Sequence, residues 1–228
     1  LYLSYNKLSG EIPNYIDKLT NLGYLLLDHN LFSGNIPQEI GQLKNLIALT
    51  LNANSLSGNI PEELFNLSKL EYLLLDENQL IGSLPEQIGS LGNLTYLSIS
   101  DNELSGAIPT GIGLLQKLNT LDIASNNFSD SLGSKIDNLT RLKSLDLSHN
   151  QFTGVLPSEI ENFKELTNLD VSDNSFHGSL PVLADIESLK ILDISSNRFE
   201  NPLPEWVSSS NFETLNYENA LNNLPKVQ

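Results

Sequence analysis

The sequence predicts a solenoid of short stacked repeats, an α/β fold in which a parallel β-sheet runs along one face. Two observations predict it: asparagine recurs every 24 residues from Asn6 to Asn174, and leucine supplies 46 of the 228 residues. A repeat of this length is too small to bury its own apolar face, so each repeat must stack on its neighbours. We therefore expect one hydrophobic interior that all repeats share.

The strand of each repeat precedes the recurring asparagine. In Leu49-Thr50-Leu51 the alternation places both leucines inward and Thr50 outward, as in a short strand. A leucine stands five residues before the asparagine in every repeat from Leu25 to Leu192. Stacked strands of this kind predict a parallel ladder with rungs about 4.7 to 4.9 Å apart.

The recurring asparagine falls where the chain turns out of the strand. When such an amide is buried, it can bond backbone groups of adjacent coils. The predicted structural ladder comprises Asn30, Asn54, Asn78, Asn102, Asn126, Asn150, Asn174 and Asn197. Glycine four residues later suits a positive φ, and proline seven residues later fixes the change of direction. These columns are structural, and none of them indicates catalysis.

The complete pattern, LxxLxxLxLxxNxLxGxIPxxL, resembles the leucine-rich repeat in its plant-type extracellular form, most clearly over residues 43–67. The resemblance covers residues 1–205. It implies a right-handed leucine-rich-repeat solenoid of about nine repeats, with a parallel β-sheet on the concave face and irregular or 3-10 structure on the convex side. Receptor-like kinase and receptor-like protein ectodomains belong to this family in plants, as do polygalacturonase-inhibiting proteins.

Departures from the pattern mark weaker places. The segment Ser129-Asp130-Ser131-Leu132-Gly133 lacks both the glycine and the proline of its repeat, which predicts a local bend or a looser coil. After a solenoid of residues 1–205, residues 206–228 form a degenerate repeat or a frayed C-terminal end. Because the first strand carries no polar cap, we expect the chain to be an internal segment of a longer protein.

Composition excludes several classes of function. Twelve basic against 28 acidic residues give a formal charge of −16, which disfavours nucleic acid and anionic lipid as partners. We expect no membrane contact within this segment, because no apolar run is long enough to span a bilayer. Cysteine is absent, and no nucleophile-elbow, phosphate-loop or HExxH motif occurs. We therefore predict no enzymatic activity, no cofactor and no metal site.

The candidate ligand-binding residues are the outward positions of the predicted sheet, four and six residues before each asparagine. We select Tyr24, Leu26, Tyr72, Leu74, Tyr96, Asp122 and Asp146, and the same columns place Ala48 and Ser98 outward. Apolar groups in the first half beside aspartates in the second predict an extended groove for a protein or peptide. Carboxylates on adjacent rungs repel, which indicates a cation, a basic ligand or compensating hydrogen bonds.

These observations favour a non-catalytic recognition module of an extracellular or cell-surface receptor-like protein, which binds a protein or peptide ligand on the concave face. The resemblance implies a co-receptor as a further partner. One alternative is a secreted inhibitor of a cell-wall glycosidase such as a polygalacturonase. Another is a structural, adhesion or ice-binding surface protein, although the outward columns lack the flat threonine or asparagine arrays expected for ice.

Four sequons of the form N-x-[ST] permit N-glycosylation and secretion. They are Asn66, Asn93, Asn127 and Asn138. Because Asn127 directly follows a ladder asparagine, we expect its glycan to lie on the concave face.

Overall fold

The computed structural model describes residues 1–210 and 212–221. Its repeats share one plan: a strand, a tight turn at the ladder asparagine, a second strand and a 3-10 helix that leads to the next repeat. Stacking of these coils produces two parallel sheets of nine strands each. The predicted leucine-rich-repeat solenoid with a concave parallel sheet is confirmed.

The concave sheet is built from the strands that precede the ladder asparagines. Its strands are β2 (Tyr24–Leu26), β4 (Ala48–Thr50), β6 (Tyr72–Leu74), β8 (Tyr96–Ser98), β10 (Thr120–Asp122), β12 (Ser144–Asp146), β14 (Asn168–Asp170), β16 (Ile191–Asp193) and β18 (Thr214–Asn216). Neighbouring strands pair in register, so that Leu73 lies opposite Leu97. The central leucine of each strand from β2 to β16 is buried, which leaves the flanking residues as the outer surface.

A second sheet was not predicted from the sequence. Its strands are β1 (Ser9–Glu11), β3 (Leu31–Asn35), β5 (Ser55–Asn59), β7 (Gln79–Gly82), β9 (Glu103–Ala107), β11 (Asn127–Ser131), β13 (Gln151–Gly154), β15 (Ser175–Gly178) and β17 (Arg198–Phe199). Most carry the repeat glycine at positive φ, for example 74° at Gly58, where an added Cβ would also collide with the Asn35 side chain. The glycine column therefore permits both the turn of the backbone and the close approach of the next repeat.

The third side of the solenoid consists of 3-10 helices. They are η1 (Asn14–Lys18), η2 (Gln38–Gln42), η3 (Glu62–Asn66), η4 (Glu86–Ser90), η5 (Thr110–Leu114), η6 (Gly133–Ile136), η7 (Ser158–Asn162) and η8 (Leu183–Asp185), and one short α-helix, α1, spans Glu205–Ser209. Proline with extended backbone angles directly precedes six of the eight 3-10 helices. No helix in the described ranges is long and apolar enough to cross a bilayer.

The ladder asparagines tie each repeat to the one before it. The Nδ2 of Asn102 donates to Ile99 O and Ser100 O in its own turn, and to Leu75 O in the preceding repeat at 3.1 Å. Its Oδ1 accepts from the Leu80 N–H at 2.9 Å. Because the turn is buried, this side chain supplies the partners that water would supply at an exposed turn.

The last coil replaces the ladder amide with a backbone carbonyl. Phe176 N donates to Asn197 Oδ1 at 3.0 Å, whereas Phe199 N donates to Ala220 O at 2.8 Å. Strand β18 still pairs in register with β16, with Leu215 beside Leu192. The concave sheet therefore extends past the last ladder asparagine.

Candidate functional site

All seven candidate contact residues lie on the concave sheet. Tyr24 and Tyr72 are the most exposed, at 43% and 44%, and the others are half-buried. Two neighbours in the same columns, Ala48 and Ser98, were predicted to face solvent and are buried, so that prediction was wrong. Ala48 lies in register between Tyr24 and Tyr72, and a methyl group between two large rings is screened from water.

We call the first half of this surface the apolar patch, defined by Tyr24, Leu26, Tyr72, Leu74 and Tyr96. Tyr72 and Tyr96 are in register on β6 and β8, and so are Leu26 and Thr50 on β2 and β4. The ring of Tyr2 stacks on Tyr24 with centroids 6.2 Å apart, which extends the patch toward the start of the chain. Rigid aromatic groups on the surface of a sheet offer contact area to a ligand at a low cost in conformational entropy.

Hydrogen bonds compensate part of the charge in the aspartate column, which consists of the last residues of β10, β12, β14 and β16: Asp122, Asp146, Asp170 and Asp193. Asp146 Oδ1 accepts from Ser148 N at 3.0 Å and Ser148 Oγ at 2.7 Å, and Asp170 Oδ1 accepts from Ser172 in the same way at 2.9 and 2.6 Å. Each aspartate thus caps the turn that follows its strand. Of the three explanations open from the sequence, compensating hydrogen bonds are therefore present.

The compensation is incomplete at two adjacent aspartates, which we call the aspartate pair, Asp146 and Asp170. Within the described residues, the Oδ2 atoms of this pair accept no hydrogen bond. At either end of the column the corresponding atoms are occupied: Asp122 Oδ2 by the hydroxyls of Ser98 and Ser100, and Asp193 Oδ2 by Asn216 Nδ2.

The two aspartates of the pair lie opposite each other on β12 and β14. At the spacing of parallel strands, their Cα atoms are about 5 Å apart. The nearby lysines do not neutralise them, because Lys143 pairs with Glu165 at 3.8 Å and Lys190 with Glu213 at 2.8 Å. Two uncompensated carboxylate oxygens thus stand side by side on the concave face.

Burial and like charge act together on this surface. Burial raises the pKa of Asp146, and the neighbouring carboxylates of Asp170 and Asp122 raise it further against the hydrogen bonds from Ser148. Burial also raises the pKa of Asp76 and of the Tyr96 hydroxyl, and Asp122 contributes to both shifts. A cation bound here would meet a field that water screens only in part.

The raised pKa of Asp146 predicts a pH-dependent stability. The folded chain binds the proton of the Asp146 carboxyl more tightly than the unfolded chain does. The stability that this proton contributes is present at low pH, and it is lost as the pH rises from the ordinary carboxyl range through the raised pKa. Asp146→Asn removes the titration but keeps an acceptor for Ser148. We expect the unfolding free energy of Asp146→Asn, measured relative to the wild type, to increase as the pH rises through that range. Urea unfolding of both chains across a pH series measures this, and parallel profiles would contradict it.

The four sequons lie off the concave sheet. Asn66 ends η3 and Asn138 follows η6, at equivalent repeat positions, and both are exposed. The Asn93 amide is engaged on both sides, donating to Ser68 O at 2.8 Å and accepting from Lys117 Nζ at 2.7 Å. Asn127 begins β11 of the second sheet, so the prediction of a glycan on the concave face was wrong. The chain has already left the concave sheet at Asn126.

Comparison with protein families gives matches over nearly the full sequence. The leucine-rich repeat region family matches residues 82–228, and the single leucine-rich repeat matches residues 1–19, 21–43, 45–67 and 69–91. No curated protein sequence matches the chain at a significant level.

Solved structures of plant proteins are similar to the chain. The ectodomain of the Arabidopsis receptor kinase HAESA, in complex with an N-terminally extended IDA peptide hormone, is 37% identical with a TM-score of 0.92. The match covers 95% of this chain and 37% of that one. A TDR receptor is 40% identical with a TM-score of 0.88, over 91% of this chain and 36% of that one. This chain therefore spans little more than a third of the length of these receptors.

A plant ice-binding protein has the same fold. It is 26% identical with a TM-score of 0.80, and the match covers all of this chain and 76% of the other.

Proposed function

The chain belongs to the leucine-rich repeat family, and from that premise we propose that it is the ligand-binding part of an extracellular, receptor-like protein. Its similarity to the HAESA ectodomain, which was solved with a peptide hormone, supports a peptide as the ligand. A second HAESA structure contains the co-receptor SERK1 as well, which supports a co-receptor as a further partner of the parent protein. We propose no catalytic role.

The observation that carries this proposal is the composition of the concave sheet. The apolar patch offers the exposed rings of Tyr24 and Tyr72 together with half-buried apolar side chains on β2, β6 and β8. The aspartate pair lies further along the same sheet on β12 and β14. Five strand spacings separate Tyr24 on β2 from Asp146 on β12, and at about 4.8 Å each they give about 24 Å. An extended peptide of about seven or eight residues covers that distance.

The surface also specifies the chemistry of such a peptide. Apolar side chains fit the tyrosine and leucine end, where they remove exposed apolar area from water. A lysine or arginine fits the aspartate pair, because its N–H groups supply the hydrogen bonds that both Oδ2 atoms lack. We therefore propose a ligand with apolar residues near one end and a basic residue near the other.

We expect the double substitution Tyr72→Ala and Leu74→Ala to weaken peptide binding at least tenfold, since about 1.4 kcal/mol of lost contact is enough for that factor. Peptides selected on the wild-type chain from a random library provide the ligands, and titration calorimetry gives their dissociation constants. Stability should change little, because Tyr72 and Leu74 form the outer surface of β6.

Leu73→Ala is the matched control on the same strand. Leu73 is buried, and its removal should cost about 2 to 5 kcal/mol of stability. The folded fraction of this variant should retain its affinity. If the selected peptides bind the Tyr72 and Leu74 double variant as tightly as the wild type, a role of the apolar patch in binding is contradicted.

The similarity to the plant ice-binding protein, together with the second sheet, favours one further candidate function. The third residue after each ladder asparagine is a small hydroxyl side chain in most repeats: Ser9, Ser33, Ser57, Ser105, Ser129 and Thr153. These lie on or beside parallel strands, at a regular rung spacing that can order water. Inhibition of ice recrystallisation by the chain, and its loss in Ser57→Lys with Ser105→Lys, would favour this function over peptide recognition.

A further inference from the structure

A cleft of about 940 Å³ opens beside η6, η7 and η8 on the side of the second sheet. None of its lining residues belongs to a strand of the concave sheet, so it is separate from the apolar patch and the aspartate pair. Its volume lies within the range of ligand pockets in proteins. The cleft is therefore a candidate second site.

The cleft lies where one repeat departs from the pattern. In an earlier repeat, the Glu86 carboxylate bridges to Thr110 N, Thr110 Oγ1 and Gly111 N at 3.1, 2.9 and 2.7 Å, which joins η4 to η5. These bonds lower the pKa of Glu86. The residue at the equivalent position before the cleft is Ser134, which is too short to make such a bridge to Ser158.

The proline that precedes most of the 3-10 helices is missing at the same place. Where six of the other repeats place an extended proline before the 3-10 helix, Leu132 has helical backbone angles of −65° and −43°. Helix η6 therefore begins at Gly133, seven residues after the ladder asparagine, whereas η7 begins eight residues after Asn150. The sequence-based expectation of a looser coil here corresponds to this displaced helix.

Two valines give the cleft an apolar surface that the repeat pattern does not require. Val155 and Val182 are exposed by 53% and 45%. In the other repeats, the positions equivalent to Val155 are Glu11, Asn35, Asn59, Ser83, Ala107, Ser131, Ser179 and Pro202, and those equivalent to Val182 are Asn14, Gln38, Glu62, Glu86, Thr110, Ser134, Ser158 and Glu205. Apart from Pro202 these positions are polar or small, and the two valines of these columns both line the cleft.

The cleft is also acidic. Asp137, Glu159 and Glu161 line it, and no lysine or arginine does. One oxygen of Glu161 accepts from Val182 N at 2.9 Å, and one of Glu159 from Ser158 Oγ at 3.2 Å. Lys135 lies beside the cleft and is already engaged, because its Nζ donates to Ser131 O at 2.9 Å and lies 3.8 Å from Asp130 Oδ2.

Asp137 lacks a donor. Its Oδ1 atom is enclosed and has no hydrogen-bond partner among the described residues, and burial together with Glu159 raises the pKa of this carboxyl. That oxygen is out of reach of a ligand, but the half-buried carboxylate as a whole lines the cleft, and a cation beside it would favour its charged form.

We propose that this cleft binds an extended segment of a partner protein in which an arginine stands beside an aliphatic residue. The aliphatic side chain covers Val155 and Val182, and the guanidinium donates to Asp137 and Glu159. Arginine fits better than lysine, because its planar fork of donors can serve two carboxylates at once. The site is independent of the concave face and does not rest on the function proposed for it.

Valine methyl NMR tests the proposal directly. The chain has five valines, of which Val155 and Val182 line the cleft and Val171 is buried in the core. The probe is the acetylated tetrapeptide amide Gly-Leu-Arg-Gly, and its control is the same peptide with neutral citrulline in place of arginine. We expect saturable shifts of the Val155 and Val182 signals with the arginine peptide, no shift of Val171, and at least tenfold weaker binding of the citrulline peptide.

Charge variants identify the carboxylates. Asp137→Asn with Glu159→Gln should weaken the arginine peptide about tenfold, whereas Glu39→Gln with Glu63→Gln, an equal change of charge on η2 and η3, should leave it unchanged. If the first double variant disturbs the Val171 signal, Glu159→Gln alone, on an exposed side chain, replaces it. Equal binding of both peptides, no saturable shift of Val155 and Val182, or the same loss in the control variant would each overturn the proposal.

Discussion

Replacing Asn102 by alanine is expected to lower the free energy of unfolding by at least about 3 kcal/mol, because it leaves several buried backbone groups unpaired at once. The Leu80 N–H loses its acceptor, and Leu75 O, Ile99 O and Ser100 O lose a donor. The methyl group of alanine replaces none of these bonds. Urea unfolding followed by circular dichroism gives the free energy, and native-state hydrogen exchange of the Leu80 amide locates the loss.

Asn6→Ala is the control for this prediction. Asn6 occupies the same column, but it is exposed and its amide donates only to Leu3 O and Ser4 O in its own turn. Water can replace both bonds, so the loss should stay within about 0.5 kcal/mol. Similar losses at Asn6 and Asn102 would show that the ladder does not couple neighbouring repeats.

Phe152→Ala is expected to destabilise the chain by about 3 to 5 kcal/mol, the cost of a large cavity in a packed core. Phe152 is fully buried between Phe128 and Phe176, with ring centroids 6.3 and 5.9 Å away, so its removal interrupts a stack that crosses three repeats. Because repeats contact mainly their neighbours, the loss should be concentrated in the second half of the solenoid.

Phe152→Leu is the matched control, since the same column holds Leu56, Leu80 and Leu104 in the first half. Leucine should restore more than half of the lost stability, because it fills most of the cavity with apolar atoms. Thermal unfolding of the three chains gives the order wild type, leucine variant, alanine variant. A leucine variant as unstable as the alanine variant would mean that ring stacking, rather than volume, holds this part of the core.

The concave sheet could be predicted from the sequence because its signals are periodic. The leucine that alternates with Thr50 fixes which side of the strand is buried, and the asparagine fixes where the strand ends. The second sheet was missed because a glycine at positive φ lies inside most of its strands, and glycine in a sequence reads as a turn rather than as a strand.

The details of the candidate site depend on contacts between repeats, which no single repeat encodes. The sequence places aspartates in one column, but it does not show that Ser148 occupies one oxygen of Asp146 and leaves the other open. Nor does it show that Glu86 joins η4 to η5 through hydrogen bonds, whereas the equivalent residue of η6, Ser134, is too short to reach η7. Both features follow from the reach of a side chain across the stack, which only the assembled coils define.

Fluorine NMR of the chain with 3-fluorotyrosine tests the central claim, that the concave sheet is the recognition surface. The seven tyrosines include Tyr24, Tyr72 and Tyr96 on the concave sheet and the exposed Tyr15 in η1. Binding of a selected peptide should shift the three concave signals with one common dissociation constant and leave Tyr15 unchanged. A peptide that binds with the same affinity and moves none of the three would contradict the claim.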